Sequence, residues 1–130
     1  LINLPLVTDT RGSLVYLQKT GFLDFSVERV YFLFDLITGS SRGGHAHYDL
    51  DQLIVAVSGS MAINLDDGKK RKTIFLNDPS VGLRITPMIW RDITNISSNA
   101  VCLVLASREY DELDYIRDYE TFKAELRNAG

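Results

Sequence analysis

Between residues 27 and 106 the chain divides into short apolar runs separated by glycines, a rhythm that favours strands over helices. Val27 to Asp35 is apolar and aromatic, and Gln52 to Val57 is rich in β-branched residues. Met61, Ile63 and Leu65 alternate with Ala62, Asn64 and Asp66, the period of a half-buried strand. Thr73 to Leu76, Leu83 to Thr86 and Val101 to Ala106 complete the series. Gly21, Gly39, Gly43, Gly44, Gly59 and Gly82 fall between runs, and Asp66-Asp67-Gly68 marks a tight hairpin. Many short strands at such spacing predict an all-β sandwich or barrel.

After Ala106 the pattern changes. Tyr115, Tyr119, Phe122 and Leu126 are spaced 4, 3 and 4 residues apart, which predicts a short C-terminal helix over roughly residues 118–127 packed on the barrel. The 130 residues show no repeat and no linker, so one domain spanning 1–130 is expected. Net charge is −3, which argues against a nucleic-acid face. The run Lys69-Lys70-Arg71-Lys72 is expected to be a solvated hairpin tip. Cys102, the one cysteine, lies in an apolar run and is expected to be buried and inert. No apolar run reaches the roughly 18 residues of a membrane span, and neither a membrane partner nor a secretion signal is expected. A reducing cytoplasm is the expected setting, and the sequon Asn95-Ile96-Ser97 is read as chance.

Both histidines of the chain, His45 and His47, are two residues apart. On a strand they project from one face, roughly 6–7 Å apart at about 3.3 Å per residue. The surrounding spacing is Gly39, five residues, His45-Ala46-His47, four residues, Gln52, six residues and Gly59. This resembles the first motif of the cupin superfamily, with Gln52 where that family places glutamate. The resemblance implies a small jelly-roll barrel. The second cupin motif brings a third histidine after a proline, whereas here Pro87 leads to Trp90, Arg91 and Asp92. Two histidines, a neutral amide and an arginine suit a divalent metal poorly, so no metal and no cofactor are expected, Asp92 being the one residue that would rescue such a site. Freed from a metal, two imidazoles can move protons near neutral pH, as isomerisation through an enediol requires.

The chain further resembles the nucleoside-diphosphate-sugar 3,4-ketoisomerases. The segments that carry the resemblance are residues 9–14 (DTRGSL), 29–34 (RVYFLF), 42–47 (RGGHAH), 65–68 (LDDG), Trp90-Arg91, and the tail 110–119 (YDELDYIRDY). The resemblance implies a dTDP-4-keto-6-deoxyhexose substrate whose ketone moves from C4 to C3. It also implies a homodimer with exchanged N-terminal strands. His45, His47 and Tyr31 are the expected catalytic residues, with Arg42, Gln52, Trp90 and Arg91 binding substrate; Tyr16 and Arg84 are weaker candidates. Two positions depart from the family pattern, Gly44 inside the RGxHAH segment and Tyr48 after it, and both are expected at the mouth. The competing readings are a sugar-nucleotide 3,5-epimerase, a metal-dependent cupin, and a cupin that binds sugar without turnover.

Overall fold

The computed structural model describes residues 1–18 and 23–129; Gly21 lies outside them. The strands are β1 (Ile2–Asn3), β2 (Leu6–Asp9), β3 (Gly12–Val15), β4 (Arg29–Leu33), β5 (Arg42–His47), β6 (Gln52–Ser58), β7 (Met61–Asp66), β8 (Arg71–Leu76), β9 (Val81–Ile85), β10 (Trp90–Thr94), β11 (Val101–Ala106) and β12 (Tyr115–Ile116). A helix α1 (Tyr119–Ala129) closes the chain. Two antiparallel five-stranded sheets form the body, ordered β1-β9-β6-β11-β4 and β12-β5-β10-β7-β8, with β2-β3 a separate pair. This is the all-β jelly-roll barrel with a short terminal helix that the sequence predicts, built from two facing sheets rather than one closed one.

The apolar runs become strands because both of their faces find cover. Along β6, Ile54 and Ala56 face the space between the sheets, where they pack with Met61, Ile63, Leu83 and Val104. The alternate residues Leu53 and Val55 face outward under Leu4 and Leu105. Cys102 joins the inter-sheet core, and burial pushes its thiol up to about 11, which leaves it inert.

Several boundaries differ from expectation for local reasons. In β7 the half-buried alternation fails, because Ala62 is small enough to be covered by Phe75 and Thr94 of the flanking strands. The hairpin after Asp66 is present, with a turn of four residues. The Asp67 carboxylate accepts the backbone N–H of Lys69 and Lys70, and pairing resumes at Arg71 opposite Asp66. Lys69 and Lys70 are solvated as expected, whereas Arg71 bends back onto Asp66 and Tyr119. The helix begins one residue later than expected, with the Asp118 carboxylate accepting the Thr121 N–H at 3.0 Å as its N-cap. Tyr115 lies before this cap, in β12 rather than on the helix.

Gly39 and Gly59, which bracket the histidine motif, both have left-handed backbones, with φ +78° and +69°. At Gly59 a Cβ would also lie 2.8 Å from the Ala100 Cα. Gly59→Ala is therefore expected to destabilise the protein by about 2 kcal/mol, read as a lower Tm in thermal unfolding, while an alanine at an open surface position leaves Tm nearly unchanged.

Candidate active site

The site lies inside the barrel, where the β5 end of one sheet faces the β4, β6 and β11 strands of the other. His45 and His47 are two residues apart on β5 and share its inner face, while Ala46 points the opposite way into a cluster with Ile116 and Phe122. Strand pairing sets Arg91 of β10 opposite His45 and Tyr115 of β12 opposite His47. One extra residue sits on β5 between the Arg91–His45 and Ile93–Arg42 pairs, and Gly43 there has φ +83°. The glycine pair Gly43-Gly44 thus supplies a β-bulge beside the site.

The two imidazole rings lie 4.8 Å apart, nearly perpendicular at 88°. Tyr115 covers both, with its ring centroid 5.3 Å from His45 and 4.4 Å from His47. Their environments differ. His45 lines a cavity of about 340 Å³ together with Tyr31, Arg42, Gln52, Arg91 and Arg117. His47 stands behind it, 0 % exposed, with its Nδ1 3.0 Å from an Asp114 carboxylate oxygen. Burial, then the charge of Arg91, lowers the His45 pKa to about 4 and that of His47 to about 2. Both rings are therefore neutral at neutral pH, and a neutral ring beside a carboxylate donates its Nδ1–H to it.

Across the cavity the polar groups form one chain. Arg91 Nη1 donates to Gln52 Oε1, and Gln52 Nε2 donates to the Tyr31 hydroxyl at 3.1 Å. Arg91 also donates to the Ile89 carbonyl at 3.1 Å. These partners are neutral, so Arg91, 3 % exposed, brings a buried positive charge with no carboxylate bonded to it. Burial lowers its pKa to about 10, which leaves it cationic at neutral pH. Burial likewise raises the Tyr31 pKa and keeps its phenol protonated. Because Tyr31 accepts from Gln52, its own O–H remains free to donate. Among the described residues, the buried side-chain polar atoms without a partner are Arg29 Nε, His47 Nε2 and Arg91 Nη2. Native interiors rarely leave such atoms unpaired, and here they all lie in or beside one site: the Arg29 guanidinium stacks 5.2 Å from the Tyr31 ring.

The structure gathers His45, Tyr31, Gln52, Arg91 and Arg42 around the cavity. Trp90 is not among them. Strand alternation turns it to the outer face of β10, where it packs on Tyr119 and Phe122. Gly44 lies over that outer ring, since a Cβ there would sit 3.5 Å from Trp90 Cζ2. Asp92 is also on the outer face, bonded to Asn64, so it cannot complete a metal site. Among the described residues no three His, Cys, Asp or Glu side chains are grouped to hold a metal, and a guanidinium faces the histidines instead. Arg84 is tied to Asp24 and Asp51, both at 2.9 Å, and Tyr16 is exposed. Neither they nor Tyr48, which is solvent-exposed, line the cavity.

Residue-by-residue reasoning passed over Asp114, Tyr115 and Arg117. All three lie in the 110–119 segment that carries part of the family resemblance, but helical spacing draws Tyr115 into the wrong element.

A jelly-roll barrel with paired neutral imidazoles and a guanidinium at the fourth corner defines a cupin whose donor set does not fit a metal. More narrowly, the chain belongs to the family described as FdtA: WxcM-like, C-terminal, which matches residues 1–127. It is 44 % identical over 123 residues to a TDP-4-oxo-6-deoxy-alpha-D-glucose-3,4-oxoisomerase of Aneurinibacillus thermoaerophilus, covering 95 % of this chain and 88 % of that one. A structure of a variant of QdtA, a 3,4-ketoisomerase from Thermoanaerobacterium thermosaccharolyticum in complex with TDP-4-keto-6-deoxyglucose, superposes with a TM-score of 0.94 at 36 % identity, covering 98 % and 92 % of the two chains. The WlaRB TDP-quinovose 3,4-ketoisomerase of Campylobacter jejuni gives a TM-score of 0.89 at 43 % identity, with 94 % of each chain covered.

With His45 lowered to about 4, its neutral form persists well below the ordinary histidine value. The expected kcat/KM is flat from pH 8 down to about pH 5 and falls as pH drops further toward 4; a fall centred near 6.5 would show an unperturbed base. Both folded-state values lie below the unfolded 6.5, so the histidines' contribution to stability is present above pH 6.5 and is lost as pH falls below it. Circular dichroism at each pH separates that loss from the kinetic one.

Proposed function

We infer that this chain is a sugar-nucleotide 3,4-ketoisomerase, and that its substrate is a dTDP-4-keto-6-deoxyhexose. The observation that carries the mechanism is a neutral imidazole, His45, on the wall of a cavity that a buried arginine, Arg91, also lines. The reaction needs no oxidant. The C4 ketone acidifies the C3 proton, His45 takes it, and the electron pair forms the C3–C4 double bond of an enediolate. The same imidazolium returns the proton to C4 as the C3 oxygen becomes the ketone. The hydroxyl proton passes from the C3 oxygen to the C4 oxygen, so atoms and charge balance.

Charge develops on the two sugar oxygens, and donors from the cavity wall are assigned to it. Arg91 Nη2 and the Tyr31 hydroxyl are the free donors, with Gln52 fixing both. Such donors act in a site where they need no reorganisation during reaction. His47 supports His45 from behind. At the mouth Arg117 is already bidentate to Glu112, at 2.7 and 3.0 Å, whereas Arg42 makes no ion pair with the described residues. Arg42 is therefore assigned to the diphosphate, which a guanidinium fork suits.

The same reading assigns one cupin domain to residues 1–130, a cytoplasmic setting, and a homodimer. The dimer is supported by what the isolated chain leaves uncovered. Val30, Phe32 and Phe34 form an exposed row on the outer face of the β4 segment. Every residue of β2 is exposed, and β2 pairs only with β3. A two-stranded ribbon is marginal by itself and gains stability when it docks on another surface. Exchange of the N-terminal strands would bring these surfaces together.

Incubation with dTDP-4-keto-6-deoxyglucose in heavy water, followed by proton NMR, is expected to give a 3-keto product whose C4 hydrogen comes from C3 or from solvent. Exchange at C5 without ketone migration would instead indicate epimerase chemistry. His45→Asn is expected to lower kcat by about 10²–10⁴-fold in a folded protein; near-normal turnover would remove His45 from its role. For assembly, light scattering is expected to give twice the 14.6 kDa chain mass, and Phe32→Asp to shift the population toward monomer. A wild-type monomer at micromolar concentration would rule out the dimer.

A further inference from the structure

We propose that Asp114 is a positioning residue of the active site, locking His47 in a single tautomer and thereby fixing the ring against which His45 works. The proposal rests on the ketoisomerase reading for its kinetic consequence, but not for its structural one. Asp114 closes the one-turn helical segment Glu112–Asp114 that leads directly into β12. One carboxylate oxygen accepts from His47 Nδ1 at 3.0 Å, and the other accepts the Asp49 backbone N–H at 2.8 Å. The carboxylate is therefore held from both sides. It ties the turn after β5 to the segment that carries Tyr115. In addition, the Tyr48 N–H donates to the Asp114 carbonyl at 3.0 Å, and Tyr115 pairs with His47 in the β12–β5 ladder.

A buried imidazole can exist as either of two neutral tautomers, and its partner decides which. With Asp114 accepting, the proton of His47 resides on Nδ1 and the lone pair on Nε2. That Nε2 is the buried ring nitrogen with no partner among the described residues. His47 is thus presented as an oriented acceptor directly behind His45, edge to face at 4.8 Å. Were the tautomer reversed, Nδ1 would set a lone pair against the Asp114 carboxylate, a repulsive contact. The ring would then turn, and the Tyr115 and His45 rings packed on it would lose their seat. Residues that orient a functional histidine in this way typically affect rate by about 10- to 100-fold without touching the reacting atoms.

The test uses the full chain labelled with ¹⁵N-histidine, which gives two imidazole spin systems assigned with His45→Asn. In the wild type, long-range ¹H–¹⁵N spectra at pH 7 are expected to show His47 as a pure Nδ1–H tautomer. An Nε2–H tautomer or a rapidly averaged ring in the wild type would overturn the proposal whatever the enzyme's activity. Asp114→Asn keeps an acceptor for the Asp49 N–H while removing the charge. It is expected to give a mixed or reversed His47 tautomer, a kcat lowered by about 10- to 100-fold, and a KM within about threefold of wild type. Unchanged kcat, or a loss confined to KM, would overturn the positioning role. Should Asp114→Asn fold poorly, the wild-type tautomer still decides, and Asp114→Glu is expected to recover both the tautomer and part of the rate. Absence of turnover in the wild type would contradict the ketoisomerase reading alone.

Discussion

A guanidinium sits inside this barrel with only neutral oxygens bonded to it, and the arrangement of the other functional groups follows from that charge. Burying a cation away from water is costly unless hydrogen bonds replace its solvation. Arg91 recovers part of that cost through Gln52 and the Ile89 carbonyl, and leaves one N–H unspent. An amide is the right partner here. A glutamate at position 52 would neutralise the guanidinium, whereas the glutamine preserves the positive potential and passes a hydrogen bond on to Tyr31. An amide in place of a carboxylate, together with arginine in place of a third histidine, turns a metal-binding donor set into one of positive potential.

The same charge determines what the histidines can do. Arg91 lies opposite His45 in the strand pairing and is the strongest charge acting on both rings after burial itself. With burial, it keeps both rings neutral near pH 7, where the proposed reaction asks His45 to accept a proton. A low pKa makes a weak base, but the proton acceptor in an enolisation needs to be unprotonated before it needs to be strong. In the proposed reaction the balance would be restored, because negative charge developing on the substrate would offset the guanidinium and favour the imidazolium as it forms.

The barrel was legible because its signals are local: runs of apolar residues, glycines at left-handed positions, and a helical period after residue 118. The histidine motif was legible for the same reason, since two-residue spacing on a strand fixes a shared face whatever the rest of the chain does. Long-range facts were not. Nothing near Asp114 indicates that it meets a histidine 67 positions earlier. Trp90 and Arg91 are neighbours in sequence, and strand alternation sends the first outward and the second inward, so only Arg91 reaches the cavity. Tyr115 fits a helical stripe by arithmetic, yet the Asp118 cap starts the helix only after it. The hairpin of β2 and β3 was hidden for a different reason. Its strands carry no buried face within one chain, so they leave no alternation to read.

Assembly and chemistry meet on β4. β4 is the edge strand of its sheet, with Tyr31 turned inward to the cavity and Val30 and Phe32 turned outward to solvent. An edge strand bearing exposed aromatic residues is a surface that pairs readily with another chain. Because successive residues of a strand point to opposite faces, a one-residue shift in β4 would withdraw the phenol from Gln52 and bury the wrong side chains at once. Covering the outer row of β4 therefore stabilises the register that delivers Tyr31. In the proposed dimer a second copy would support the site without adding a group to it, by holding rigid the strand from which the Tyr31 hydroxyl projects.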